Sequence, residues 1–189
     1  ISRLCNAADT PLYVIAIGAL TNIAAAILQA PDIITGMVLI WLGGNEYGYE
    51  KQWEYNLFGD LAASRIVFAS GVPLIRFPTN SVTHTMLITE EELQRHVTPA
   101  GEIGAYLSEI LSAYMQSKGR NSKEVWDMAP VAYMENSAWG RWKVMPMPQV
   151  TESGHWDFSG TNRPAHAVMT KIDAQAMRDA FFKRLTRYC

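Results

Sequence analysis

The chain has 189 residues, of which 49% are apolar and 18% charged, and its net charge is −2. This apolar content excludes intrinsic disorder and is sufficient for a hydrophobic core, while the near-zero net charge argues against a nucleic-acid partner. The longest apolar run, Leu12–Leu20, is too short to cross a membrane as a helix, so we expect no membrane partner. The two cysteines, Cys5 and Cys189, are compatible with a reducing compartment, and we expect a cytoplasmic protein.

The first half of the chain alternates between short apolar runs and helix-forming segments. Residues 12–17, 37–42 and 73–77 are predicted to be strands of the kind that is buried on both faces of a sheet. Helices are predicted between them, at residues 21–30 and 60–69, the second with Asp60 as its N-cap. This alternation at these lengths predicts βαβ units, and hence an α/β fold with a parallel sheet.

The second half of the chain is predicted to be mainly helical. Thr89–Glu92 has the sequence of a capping box, which begins a short helix, and residues 99–116 carry apolar side chains at helical spacing. Residues 137–164 are rich in proline, glycine and tryptophan and are predicted to form extended segments and turns at an edge of the sheet. The remaining predicted elements are helices at 127–136 and 173–185 and a strand at 166–172.

Polar residues follow the predicted strands at the places where open parallel sheets bind ligands, namely the carboxyl ends of the strands. They lie at residues 18–22, at 43–46 and 53–56, and at 78–81. Glu54 and Asn56 are two residues apart, so on an extended segment both would face the same side. Each cluster also has a purely structural interpretation, as a helix cap, a tight turn or a solvent-facing pair.

Four segments in this order resemble motifs of the inosine–uridine nucleoside hydrolase family. They are residues 17–24, which include Gly-Ala-Leu-Thr-Asn, residues 42–44 (Leu-Gly-Gly), residues 54–56 (Glu-Tyr-Asn) and residues 126–132 (Trp-Asp-Met-Ala-Pro-Val-Ala). The resemblance extends from about residue 8 to residue 185. It implies a nucleoside-hydrolase-like open, mostly parallel sheet flanked by helices, and hydrolysis of the N-glycosidic bond of a ribonucleoside or related N-riboside at a Ca²⁺ site.

The resemblance also implies roles for individual residues. The backbone oxygen of Thr21 and the carboxylate of Asp127 match two of the family's metal ligands, although Asp127 alone could equally be a helix cap. For the substrate, the matched positions are Glu54 and Asn56 as ribose contacts, Asn45 as a further ribose contact, Leu42 as a lining residue and Trp126 beside the leaving group.

Two departures from the family pattern are expected to matter. The family's Asp-x-Asp-x-x-x-Asp-Asp cluster, which supplies most metal ligands and the general base, has no counterpart here, since Asp9 and Asp32 are isolated. We therefore expect residues 1–189 to be the C-terminal part of a single domain, completed by an N-terminal companion segment that carries the catalytic residues. Trp126 stands where several members carry a histidine that protonates the leaving base; a tryptophan can stack on a ring but cannot donate that proton.

Two classes of function therefore remain open. The first is a calcium-dependent N-ribosyl hydrolase whose site is only partly supplied by this chain. The second is a non-catalytic or degenerate protein that keeps the fold and binds a sugar or nucleoside-like ligand. Homo-oligomerisation is expected from the resemblance alone.

Overall fold

The structure is a computed structural model that describes residues 1–7, 10–49 and 52–186. The described residues form two compact units, one within the ranges 1–82 and 141–171 and the other within the ranges 83–140 and 172–189. Asp9 and Cys189, noted in the sequence, lie outside the described residues.

The strands are β1 (Leu12–Ala16), β2 (Met37–Leu42), β3 (Leu74–Phe77), β4 (Leu87–Thr89), β5 (Ser122–Glu124), β6 (Gly140–Pro146), β7 (Gln149–Val150), β8 (Trp156–Asp157) and β9 (Ala165–Ile172). The α-helices are α1 (Ser2–Ala7), α2 (Thr21–Gln29), α3 (Tyr55–Gly59), α4 (Leu61–Ser70), α5 (Glu90–Glu92), α6 (Gly101–Ser117), α7 (Met128–Glu135) and α8 (Ala174–Leu185). Short 3₁₀ segments occupy Pro31–Gly36, Thr83–Thr85 and Ser137–Trp139, and Leu93–Val97 forms a π-helical turn.

The first unit is built on a five-stranded sheet in the order β1-β2-β3-β9-β6. The pairs β1–β2, β2–β3 and β3–β9 are all parallel, which confirms the predicted α/β class. The helices α2 and α4 pack on one another and contribute Ile23, Ile27 and Phe68 to a core shared with the inward face of the sheet. Parallel pairing brings the carboxyl ends of β1, β2 and β3 to one edge of this sheet.

The strand β1 differs from its prediction, because it is buried on one face only. Tyr13 and Ile15 are 51% and 36% exposed, and Ile17 just after the strand is 47% exposed. The alternating residues Leu12, Val14 and Ala16 are half-buried and pack against the core. The side chains of Tyr13, Ile15 and Ile17 lie on a face of the sheet that stays exposed along this strand. As the end strand of the sheet, β1 also has no neighbouring strand on one side among the described residues.

Local signals set several helix ends as predicted. Asp60 caps α4 by accepting a hydrogen bond from the backbone N–H of Ala63 at 2.9 Å. The capping box at Thr89–Glu92 is formed, although its α-helical part spans only three residues before the π-helical turn. Residues 53–56 are extended only in part: Glu54, the N-cap of α3, has extended backbone angles, whereas Asn56 lies within that helix.

The second unit has a mainly helical core of its own. The strands β4 and β5 form an antiparallel pair, and the buried side chains of Ile88, Leu93, Val97, Met115 and Phe182 pack together. An ion pair of 3.4 Å between Arg178 and Glu92 joins α8 to α5. Across the described residues of both units, no helix has the length and hydropathy needed to cross a bilayer.

Candidate active site

Asn56 ties together the carboxyl ends of two neighbouring strands. Its side-chain Nδ2 donates to the carbonyl oxygen of Leu42, the last residue of β2, at 2.9 Å. The same nitrogen donates to the carbonyl oxygen of Ile17, just after β1, at 3.2 Å. Both donor hydrogens of the amide nitrogen are thereby used to hold the sheet edge, and Leu42 itself is buried there.

Glu54 is buried, and its carboxylate organises the loop between β2 and α3. Its Oε2 atom accepts hydrogen bonds from the backbone N–H groups of Gly44 at 2.7 Å and Leu57 at 2.9 Å. Its Oε1 atom accepts one from the backbone N–H of Asn56 at 3.1 Å. The carboxylate therefore caps α3 and at the same time holds the Gly43–Gly44 turn, which lies ten residues earlier in the chain.

Each of these two side chains keeps an oxygen with capacity for a further hydrogen bond. A carboxylate can accept about four hydrogen bonds, and described residues donate three to Glu54. No described residue donates to Oδ1 of the half-buried Asn56. Two acceptor oxygens at the ends of β1 and β2 suit a ligand that presents hydroxyl donors, as a sugar diol does.

Asn45 follows the same turn but is fully buried. Its Oδ1 accepts hydrogen bonds from Thr79 Oγ1 at 2.9 Å and Asn80 Nδ2 at 2.7 Å, and its Nδ2 donates to the carbonyl oxygen of Trp53 at 3.3 Å. The amide thus links the exits of β2 and β3 to the segment before α3. A substrate contact by Asn45 stays a prediction, and it would require this amide to exchange an existing hydrogen bond.

Thr21 is the first residue of α2 and is exposed. Its hydroxyl donates to Asp60 Oδ2 at 2.7 Å, which joins the start of α2 to the start of α4. Together with the Ala63 N–H, this hydroxyl lowers the pKa of the Asp60 carboxyl. The alternative interpretation of Thr21 as a helix cap is not supported, since the N-cap position is Leu20, with no side-chain hydrogen bond.

Arg76 was missed by sequence reasoning, and it lies directly behind the turn. It is a fully buried residue in the middle of β3, and its Nη1 donates to the carbonyl oxygens of Asn45 at 2.9 Å and Gly43 at 3.3 Å. Its guanidinium carbon lies 4.3 Å from the ring centre of Tyr47 and 5.1 Å from that of Trp156. The sequence feature that could have identified it is a single charged residue inside a predicted buried strand, Leu-Ile-Arg-Phe. A buried charge requires hydrogen-bond or ionic partners, so such a residue marks a buried polar cluster.

The buried His166 contacts Tyr47, whose ring also packs against Arg76. His166 Nδ1 lies 3.1 Å from the carbonyl oxygen of Met145, and its Nε2 lies 2.7 Å from the hydroxyl of Tyr47. Since a carbonyl can only accept, Nδ1 carries the hydrogen and Nε2 accepts from Tyr47. Burial and the positive charge of Arg76 together lower the pKa of His166 to about 4, so the ring is uncharged at neutral pH.

Trp126 and Asp127 belong to the second unit. Asp127 occupies the N-cap position of α7, but its side chain makes no capping hydrogen bond. Partial burial of its carboxyl raises its pKa, an effect that Lys123 opposes. Trp126 is half-buried, and both side chains line a cavity of about 420 Å³ whose other walls come from the same unit.

The described residues do not make a complete metal site by themselves. Within residues 1–7, 10–49 and 52–186, no three His, Cys, Asp or Glu side chains are grouped as metal ligands. Calcium takes six to eight oxygen ligands, whereas the matched positions offer two, the Thr21 carbonyl and the Asp127 carboxylate. The donor chemistry suits calcium, but the number of ligands is too small, so further oxygens would have to come from elsewhere.

Comparison with known proteins identifies similar sequences. A family model described as inosine-uridine preferring nucleoside hydrolase matches residues 1–179. The pyrimidine-specific ribonucleoside hydrolase RihB of Escherichia coli K12 is 30% identical over 118 residues, which cover 61% of this chain and 37% of that protein. A putative pyrimidine-specific ribonucleoside hydrolase RihB of Shigella boydii is 30% identical over the same length, covering 48% of that protein. The chain thus matches less than half the length of these relatives.

Solved structures show the same fold. The inosine-uridine preferring nucleoside hydrolase of Bacillus anthracis superposes with a TM-score of 0.75 at 14% identity, covering 99% of this chain and 64% of that one. The type III effector protein XopQ, solved in complex with adenosine diphosphate ribose, superposes with a TM-score of 0.67 at 11% identity, covering 97% and 63%. At these identities the likeness concerns the fold alone.

Proposed function

Because the chain belongs to the inosine-uridine preferring nucleoside hydrolase family, we propose that it takes part in calcium-dependent hydrolysis of the N-glycosidic bond of a ribonucleoside or related N-riboside by a metal-oriented water. Within the chain, the observation that carries the proposal is the pair of acceptor oxygens, Glu54 Oε1 and Asn56 Oδ1, at the carboxyl ends of β1 and β2. In this proposal they accept hydrogen bonds from the ribose hydroxyls, beside Leu42 as a lining residue. Asn45 is retained as the weaker third contact.

The chemistry gives Glu54 a second role. When the N-glycosidic bond breaks, its electron pair leaves with the aglycone and positive charge develops on the ribose ring. A fixed carboxylate beside the ring stabilises that charge, and it needs little reorganisation because backbone N–H groups already hold it. Water then adds its oxygen to the anomeric carbon and loses a proton to a base. We assign no general base within this chain.

The metal belongs to the proposal as well. The Thr21 carbonyl and the Asp127 carboxylate would be two of its oxygen ligands, with the others supplied from outside the described residues. A bound calcium ion would orient the sugar diol and a water. The described residues alone do not complete its ligand set.

The companion segment is proposed to pair with the edge of β1. The apolar side chains of Tyr13, Ile15 and Ile17 are exposed along this strand, and an exposed apolar edge strand favours the addition of another strand. Relatives longer than the matched region provide a precedent for such extra chain. Homo-oligomerisation of the completed protein is proposed on the family resemblance alone.

A second candidate function is a binding protein that performs no hydrolysis. The observation that favours it is Trp126, because an indole cannot protonate a leaving base as the family's histidine does. The half-buried ring beside the 420 Å³ cavity could still stack on a flat ligand. Turnover separates the two candidates directly.

The test uses the full-length protein expressed from its complete gene. Inosine, uridine and p-nitrophenyl riboside are assayed for ribose release with calcium and after chelation with EGTA. Hydrolysis that is lost with EGTA and restored by calcium supports the enzyme, whereas ligand binding without ribose release supports the binding protein. Hydrolysis that EGTA leaves unchanged contradicts the calcium site.

A matched pair of variants tests the site. Glu54→Gln is expected to lower kcat/KM by about 100-fold, because a neutral amide replaces the charge beside the ring. Glu152→Gln, at a side chain that is 86% exposed, is the control and should keep wild-type kinetics. Thermal unfolding of both variants identifies any loss that is due to misfolding, and wild-type kcat/KM in a folded Glu54→Gln protein would reject the assignment.

A further inference from the structure

A groove of about 450 Å³ lies within the first unit, between α4 and β7. One wall is a face of α4 that presents Ala62, Ile66 and Ala69, which are spaced as neighbours on a helix surface. The buried Val150 of β7 also lines it. The volume lies in the range of small-molecule binding sites, and none of the lining residues belongs to the proposed ribose site.

Two guanidinium groups line the same groove, those of Arg65 and Arg163, together with the exposed amide of Gln149. Arg163 is fixed in place, because its Nε donates to the carbonyl oxygen of the buried Met147 at 3.0 Å. Its Nη2 atom is buried and finds no acceptor among the described residues. The Arg163 guanidinium therefore keeps donor capacity for a ligand oxygen.

Two carboxylates lie near these cations, and neither occupies them firmly. Glu152 lies 3.5 Å from Arg65, but the two side chains are 86% and 45% exposed, so water screens the pair. The pKa of Asp157 is lowered chiefly by hydrogen bonds from Ser159 and to a smaller extent by the charge of Arg163. An anion in the groove can therefore compete for both guanidinium groups.

The lining favours one kind of anion. A guanidinium binds phosphate and carboxylate oxygens through paired N–H donors. Two guanidinium groups favour a phosphate monoester over a carboxylate, because a monoester carries nearly two negative charges at neutral pH. The apolar face of α4 would then contact the carbon body of the ester, which an inorganic ion lacks.

From these features we propose that the groove binds a small organic phosphate monoester. Its phosphate group lies at Arg65 and Arg163, and its carbon body lies against Ile66 and Val150. The groove shares no residue with the ribose site, so the inference does not depend on the proposed hydrolysis.

Calorimetric titration of the full-length protein with phenyl phosphate at neutral pH tests the inference. Saturable binding at one site is expected, with inorganic phosphate at least about fivefold weaker because it has no carbon body. Phenol, which has no charge, should bind at least about tenfold more weakly than phenyl phosphate. Equal affinity for inorganic phosphate overturns the monoester class, and equal affinity for phenol overturns the anion site. Absence of phenyl phosphate binding overturns the whole proposal.

Paired variants locate the site. Arg163→Gln is expected to weaken phenyl phosphate binding at least about tenfold, because it removes a charged donor from the groove. Arg141→Gln makes the same change at an exposed position outside the groove and should leave the affinity unchanged.

A second pair keeps the test decisive if Arg163→Gln fails to fold. Gln149→Glu places a negative charge in the groove and is expected to weaken binding at least about tenfold as well. Gln116→Glu, at an exposed position on α6, is its control. Wild-type affinity in a folded Arg163→Gln or Gln149→Glu protein overturns the assignment.

Binding at the ribose site is tested with Glu54→Gln. Glu54 does not line the groove, so this variant should bind phenyl phosphate with wild-type affinity. A changed affinity in the folded variant would assign the anion to the ribose site and overturn the inference. Phenyl phosphate binding at the groove in a protein that hydrolyses no riboside supports the inference and contradicts the proposed function alone.

Discussion

Acid should destabilise this protein through His166. The ring is buried on β9, donates from Nδ1 to the carbonyl oxygen of Met145 and accepts from the Tyr47 hydroxyl at Nε2. Protonation would place a second positive charge beside the buried Arg76 and would turn Nε2 from an acceptor into a donor. The folded state therefore favours the neutral ring.

The magnitude follows from the pKa of His166, which is about 4 in the folded protein against 6.5 for an unperturbed histidine. This difference corresponds to about 3 kcal/mol of unfolding free energy. Because the unfolded chain binds the proton first as pH falls, the stabilisation is complete above pH 6.5. It is lost progressively down to pH 4, with about 2 kcal/mol lost between pH 7 and pH 5.

The assay is urea unfolding at a series of pH values between 7.5 and 4.5, with wild type, His166→Gln and His155→Gln. His166→Gln should have a lower unfolding free energy at pH 7 and a flatter pH dependence, because it has no proton to gain. His155 is exposed, and its variant is expected to follow the wild-type pH dependence. Identical slopes for wild type and His166→Gln between pH 7 and pH 5 would refute the reasoning.

Two further predictions concern the turn that Glu54 and Arg76 hold. Gly44 has φ of +67°, and a Cβ there would lie 2.7 Å from the Trp156 ring, so Gly44→Ala should lower the unfolding free energy by about 2 kcal/mol. Gly48→Ala shares the positive φ but meets open space, so it should cost about 1 kcal/mol; equal losses in urea unfolding would contradict the close contact. Arg76→Ala should cost about 3 kcal/mol in the same assay, because it leaves a cavity and removes the hydrogen bonds that the guanidinium donates to the carbonyls of Gly43 and Asn45. Arg65→Ala, on the surface of α4, should cost less than about 1 kcal/mol, and a similar loss in both variants would mean that the buried guanidinium does not stabilise the turn.

The sequence alone determined the secondary-structure framework and the family. Apolar runs bounded by glycine and proline predicted β2 and β3, and these strands and the strand predicted at residues 166–172 agree with the structure to within one residue at each end. The side chains of Asp60 and Asp173 marked the starts of α4 and α8. These features depend on periodicity and on hydrogen bonds that span three residues or fewer, so residues close together in the sequence are enough to predict them. The four motifs in order were enough to identify the family that the chain-wide comparison confirmed.

Tertiary structure decided what each polar side chain does. The Glu54 carboxylate accepts from the backbone N–H of Gly44, ten residues earlier, and the Asn56 amide donates to carbonyls 14 and 39 residues earlier. The local sequence pattern therefore could not predict α3 or the remaining acceptor oxygens. Burial of Arg76 between Tyr47 and Trp156, and the exposed face of β1, likewise depend on which strands become neighbours. Hydrogen bonds and burial between distant segments exist only after the sheet has formed, and spacing along the chain does not encode them.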